Sequence, residues 1–86
     1  MIEVKIKCFG AFRNLGSEIT LNLASESNVG ALRTLLSQFL KSQNPHGMEA
    51  GLVADSVFAD ETQILSDESR ISENVTLNIL PPVCGG

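Results

Sequence analysis

Tryptophan and tyrosine are absent from this 86-residue chain, and no apolar run approaches the roughly 20 residues needed to cross a bilayer. A membrane partner is therefore not expected. Nor does a basic start lead into an apolar stretch with a cleavage site, so secretion finds no support and a cytoplasmic location is the default expectation. Cysteine occurs twice, at Cys8 and Cys84, which is too few for a disulfide framework and the wrong spacing for a zinc knuckle. No metal site is expected. Basic residues are also scarce: Lys5, Lys7, Arg13, Arg33, Lys41 and Arg70 are scattered, against ten carboxylates that give a net charge of −4. Phosphate backbones need a clustered basic patch, so nucleic acid is not an expected partner. The acids gather in the second half, at Asp55, Asp60, Glu61, Asp67, Glu68 and Glu73. A solvated acidic face is the ordinary reading of that run, although a partner with a basic groove would be compatible.

What remains is enough for one domain. A chain of this length buries somewhat more than about 60% of its unfolded surface, which supports a two-layer core without staples. Residues 2 to 9 alternate, with Ile2, Val4, Ile6 and Cys8 on one face and Glu3, Lys5 and Lys7 on the other, the period of a half-buried strand. Cys8 on that face reads as a small buried hydrophobe. After a turn region from Gly10 to Gly16, residues 18 to 23 repeat the pattern through Ile19, Leu21 and Leu23, so the two strands form a hairpin. Residues 25 to 28 offer helix caps, and Val29, Leu32, Leu35, Leu36, Phe39 and Leu40 then recur at spacings of three and four. That stripe predicts one amphipathic helix ending before Asn44-Pro45, and its ordinary meaning is a core face.

The second half is less regular. Leu52-Val53-Ala54, within residues 51 to 58, suits a third strand; Ile64, Leu65 and Ile71 are isolated anchors, with a short edge strand near 64 and one helical turn near 66 to 70. His46 reads as a loop residue in Asn-Pro-His-Gly. Residues 75 to 80 alternate again, with Val75, Leu77 and Ile79 sharing a face. The order strand, strand, helix, strand, short strand, strand predicts an α+β domain, one helix packed across a mixed sheet of four to five strands. Its first and last strands should lie in the centre as a parallel pair, with the helix in the crossover between them.

The chain then ends on Pro81-Pro82-Val83-Cys84-Gly85-Gly86. Proline holds φ near −65° and cannot donate to a ladder, so Pro81 and Pro82 end the strand and project the remainder as a stiff arm spanning roughly 20 Å if extended. Glycine has no Cβ, so Gly85 and Gly86 can enter a channel too narrow for any other residue and present the α-carboxylate to an α-phosphate there. By itself a diglycine also describes a frayed end; its attachment to a packed strand without a linker is what raises its weight. The division expected is residues 1–80 as the folded domain and 81–86 as the extended tail.

These residues resemble the ubiquitin-like β-grasp sulfur carriers, most closely the MoaD-type small subunits of molybdopterin synthase. The resemblance runs the whole chain and rests on two motifs. Phe9 to Gly16 is similar to the family's Phe-x-x-x-Arg-x-x-x-Gly turn, with Gly16 one residue early, and residues 81 to 86 resemble its Pro-Pro-Val-x-Gly-Gly ending. Asn74-Val75 stands where the family usually has Gly-Asp, Asn being tolerant of a left-handed turn, and Cys84 stands where Ser, Ala or Thr is usual. The resemblance implies a β-grasp fold and a chain that binds no cofactor itself. A homodimeric, MoeB-like adenylating enzyme would use ATP to activate Gly86, and sulfur from a donor such as a cysteine desulfurase or rhodanese would convert it to a thiocarboxylate. The tail, Pro81 to Gly85, would then insert into the large catalytic subunit of molybdopterin synthase, in a heterotetramer of two small and two large subunits, to build a dithiolene. Phe9, Phe12 and Arg13 are candidate interface residues beside the last strand, with the core as the alternative for either phenylalanine and turn stabilisation for Arg13. Two further readings stay open: a carrier for another sulfur pathway (cysteine, thiamine or a thio-metabolite), and a ubiquitin-like modifier conjugated through Gly86. Cys84 adds a weaker redox possibility at the terminus, against the commoner reading of a tolerated small residue.

Overall fold

The computed structural model describes residues 1–9, 12, 18–43 and 49–81. Alternation over the first strand, β1 (Ile2–Cys8), and the second, β2 (Glu18–Leu23), becomes strict inside-outside burial, and the two pair antiparallel with Ile2 opposite Leu23 and Ile6 opposite Ile19. Glu26 turns the chain after β2 with a left-handed φ of 62°, and two residues, Ser27–Asn28 (β3), lead directly into the helix α1 (Val29–Gln43).

The start of α1 is closed from two directions. Asn28 Oδ1 accepts the N–H of Ala31 at 2.8 Å as an N-cap, while the N–H groups of Val29 and Gly30 donate to the carbonyls of Ser69 and Asp67, each at 3.0 Å. Three amide donors that a bare helix end would leave unmet are thereby satisfied. The expected apolar stripe faces the sheet: Val29, Leu32, Leu36 and Leu40 are buried, with Leu35 and Phe39 partly so. Together with the inward residues of the sheet they form one core.

The second half differs from expectation. Leu52-Val53-Ala54 is not a strand: Glu49–Val53 is a short helix, α2, and the strand begins later, at β4 (Val57–Ala59). The reason lies in where the carbonyls go. The Leu52 carbonyl accepts the Ser56 hydroxyl at 2.6 Å and the Asp55 N–H at 3.1 Å, and the Val53 carbonyl accepts the Arg33 guanidinium at 2.6 Å. Those groups are committed to closing a helix rather than to a sheet ladder. A short strand near 64 is present as β5 (Ile64–Leu65), but its Ile64 is exposed rather than an anchor. The turn near 66 to 70 is a single reverse turn, closed by the Ser69 N–H on the Ser66 carbonyl at 3.0 Å, and leads into β6 (Arg70–Ile71), which pairs with β3. Asn74 is not left-handed; its Oδ1 instead accepts the Glu3 N–H at 2.8 Å, tying the start of the last strand, β7 (Val75–Leu80), to β1.

The main sheet has five strands in the order β2-β1-β7-β4-β5, with β7 parallel to β1 and antiparallel to β4. A parallel neighbour requires a crossover, and α1 lies in it. β7 lies between β1 and β4, paired on both sides at Asn78 and Ile79 and with β4 alone at Leu80, so Pro81 leaves from the middle of the sheet.

Candidate functional site

The terminus of β7 and the sheet face around it form the candidate site. In β7, Leu77 and Ile79 are buried, so Thr76, Asn78 and Leu80 belong to the opposite, outer face. On β1 that face carries Glu3, Lys5 and Lys7, and Phe9 continues it one residue beyond the Cys8–Ile79 pair, beside Leu80. On the other side Val57 is the register partner of Leu80, and Ala59 pairs with both Asn78 and Ile64. Phe9 and Leu80 remain 44% and 39% exposed and Ile64 70%, so apolar side chains line the half of the outer face nearest the tail exit. Lys5 and Lys7 mark its other half.

The candidate interface residues separate accordingly. Phe9 lies on the exposed face, as proposed for a contact. Phe12 does not: it is 1% exposed and part of the core, with its N–H bonded to the Phe9 carbonyl at 3.1 Å. Arg13, His46 and residues Pro82, Val83, Cys84, Gly85 and Gly86 lie outside the described residues; Pro81 is half-buried at the exit. Leu80, Val57 and Ile64 were not among the sequence candidates. Leu80 carried a signal nonetheless, because a leucine at an outward position breaks the alternation of Val75, Leu77 and Ile79.

Catalytic chemistry is not assembled among the described residues. Cys8 is buried, its Sγ 3.8 Å from the Ile6 carbonyl, and desolvation pushes the thiol above its ordinary pKa, away from the thiolate a nucleophile needs. Asp60 is engaged in its own turn, its Oδ1 accepting the N–H groups of Thr62 and Gln63, each at 2.8 Å, and the Thr62 hydroxyl at 3.0 Å. Those backbone donors, Thr62 first, hold its carboxyl below the usual range. Among the described residues, no group of three His, Cys, Asp or Glu side chains meets in a way that could hold a metal ion. No helix of the described residues is long and apolar enough to cross a membrane.

No protein-family model matches the chain, and no curated protein matches it in sequence. Its backbone, however, is similar to many solved structures. SAMP1 from Haloferax volcanii superposes with a TM-score of 0.67 at 15% identity, over 98% of this chain and 99% of that one. A protein from Pyrococcus furiosus described as molybdopterin converting factor, subunit 1, superposes with a TM-score of 0.72 at 20% identity, over 96% of this chain and all (100%) of that one. Ubiquitin from Caldiarchaeum subterraneum gives 0.60 at 18% identity, over 99% and 98%. At these identities the likeness concerns the fold, and the chain has the ubiquitin-like β-grasp fold, with one main helix on a mixed five-stranded sheet.

Proposed function

We propose that this protein is a sulfur carrier, the small subunit of a molybdopterin synthase, and that the carboxyl group of Gly86 is its reactive centre. The observation that carries this reading is the placement of β7: a strand between β1 and β4, paired on both sides at Asn78 and Ile79 and with β4 at Leu80, leads into Pro81 next to an exposed apolar patch. The motif supplies an arm and the fold supplies its mount. An adenylating enzyme would couple the Gly86 carboxylate to the α-phosphate of ATP with loss of pyrophosphate. The outer sulfur of a persulfide, from a cysteine desulfurase or rhodanese, would then displace AMP to give an acyl disulfide. Thiol–disulfide exchange with a second thiol would release the thiocarboxylate, leaving that thiol and the carrier cysteine joined as a disulfide. The general acids and bases for using that sulfur belong to the large subunit in this reading, which agrees with Cys8 and Asp60 being engaged internally. Intact-mass spectrometry after incubation with ATP, the adenylating enzyme and a sulfur donor tests it: the expected product is about 16 Da heavier, one oxygen exchanged for sulfur, with the gain on the C-terminal peptide. An unchanged mass would count against carriage, and lysine-linked conjugates ending in Gly-Gly would favour the modifier reading instead.

The exposed patch should be the docking surface for the large subunit. Leu80→Asp puts a charge at its centre, beside Phe9 and Val57. If Leu80 anchors the contact, affinity for the large subunit should fall by about 30-fold, the loss of roughly 2 kcal/mol typical of an interface anchor. Because Leu80 is already 39% exposed, the folded domain should lose about 1 kcal/mol or less. Titration calorimetry and urea unfolding on the same sample separate the two; equal affinity for variant and parent would remove this face from the interface.

A further inference from the structure

Cover of the inner sheet face is incomplete at the β5 edge. Phe58 and Leu65 are register partners in β4 and β5 and share that face, yet Phe58 is fully buried beneath the Arg33 guanidinium whereas Leu65 is only half-buried. The helical layer stops short of β5. A cleft of about 380 Å³ opens there, with Leu65, Ile71, Val75 and Leu77 as its apolar lining. Its two sides are already held by hydrogen bonds. On the hairpin side the Asp60 N–H donates to the Gln63 carbonyl at 3.0 Å, while Asp60 Oδ1 accepts the amides of Thr62 and Gln63. On the other side the strap from Ser69 to Glu73 is tied to the start of α1 through the Ser69 carbonyl and the pairing of β6 with β3. Just beyond it, Asn74 is tied to β1. The cleft is thus formed before any ligand arrives, and binding need not order its walls.

Charge selects the occupant. Asp60 stands on one side and Glu73 on the other, and Arg70 is the one basic residue among those that line the cleft. Glu61 and Glu68 adjoin the lining residues Asp60 and Ser69 in the chain and add to the acidic side. Other bases do not offset them: Arg33 is paired with Asp67 at 2.8 Å, and Lys5 and Lys7 lie on the outer face of the sheet. The excess is negative. A second copy, with the same net charge of −4, would be repelled, whereas an apolar lining with a carboxylate on either side suits an apolar side chain set between cations. We propose that this cleft binds a partner polypeptide through one large apolar side chain, aromatic or leucine, flanked by lysine or arginine. Val75 and Leu77 belong to the first half of β7, and the tail leaves from its far end, beside a patch on the outer face. The cleft can therefore be filled while tail and patch are in use, and the proposal does not rest on the chemistry assigned to Gly86.

The probe is the end-blocked peptide Lys-Lys-Ala-Trp-Ala-Lys-Lys, titrated with the full chain. Because the chain has no tryptophan or tyrosine, indole emission reports the peptide alone, and a saturable blue shift is the expected result. In the 15N-labelled full chain the amides of residues 63 to 75 should shift while those of β2 and Phe9 stay in place. Serine in place of the tryptophan should weaken binding about tenfold or more, and glutamate in place of the lysines about fivefold or more. Glu73→Gln should weaken the lysine peptide about threefold and Arg70→Gln should tighten it about threefold. Both residues are exposed, and a merely structural role would not move affinity in opposite directions. No saturable change in emission, amide shifts confined to another face, equal affinity for the glutamate peptide, or the two variants shifting affinity the same way would each overturn the proposal.

Discussion

Replacing Arg33 by methionine is expected to lower the free energy of unfolding by about 3 kcal/mol, a large share of the 5–15 kcal/mol typical of a domain. Arg33 follows Leu32 in α1, flanking the buried stripe, and its side chain is 18% exposed. Its Nη1 donates to the Val53 carbonyl at 2.6 Å and the Ser56 carbonyl at 2.7 Å, and its guanidinium lies 5.2 Å from the centre of the buried Phe58 ring. Nε and Nη2 both reach Asp67 Oδ1, at 3.2 and 2.8 Å. One planar group therefore ties the end of α2, the entry to β4 and the turn that caps α1 to a single point on the helix.

The magnitudes rank these contacts. Charge-assisted bonds to carbonyls that then lose their partner are worth about 1.5–3 kcal/mol each, and the ring contact about 0.5–1 kcal/mol at a partly exposed site. The ion pair adds little, because Asp67 is 53% exposed and exposed pairs give about 0–1 kcal/mol. Asp67→Ala should accordingly cost less than about 1 kcal/mol, and Arg33→Lys should fall between, since an ammonium cannot reproduce the planar fork. Urea unfolding followed by circular dichroism should show a lower midpoint for Arg33→Met at unchanged slope. A loss no greater than that of Asp67→Ala would mean that the carbonyl bonds contribute nothing.

The same residue explains what could and could not be read from the chain. β1, β2, α1 and β7 were legible because each has a side-chain period that matches its own geometry, and because Ser25 to Asn28 announce the helix start. Residues 49 to 71 have no such period. There the structure depends on a guanidinium that arrives from α1 and on carbonyls of Asp67 and Ser69 that return the favour at its first turn. Contacts across that separation leave no local trace, which is why Leu52-Val53-Ala54 resembled a strand. Phe12 was ambiguous for a related reason: no side-chain period runs through its neighbourhood, and its burial comes from packing in a core assembled from distant elements. Of the candidate site, the exposed position of Phe9 was legible, whereas Leu80, Val57 and Ile64 come together only through the pairing of β1, β7, β4 and β5.

Removing Gly85 and Gly86 should abolish sulfur transfer while leaving the domain folded. In the proposed chemistry the bond to sulfur forms at the carbonyl carbon of Gly86, so no other group of the chain can substitute for it, and shortening the arm by two residues withdraws the carboxylate by roughly 7 Å from any site built for the full length. A displacement near 1 Å already costs on the order of a hundredfold in such reactions, so the expected residual rate is at background. Folding should not follow, since β7 is complete at Leu80 and the core is built from residues before the tail. The direct measurement is sulfur transfer to a cyclic pyranopterin substrate by the purified large subunit, with ATP, adenylating enzyme and sulfur donor supplied, comparing the full chain with the one lacking its last two residues. Dithiolene formation with the full chain and none above background with the shortened one is the expected result; equal rates from the two would contradict a terminal carboxyl group as the carrier of sulfur.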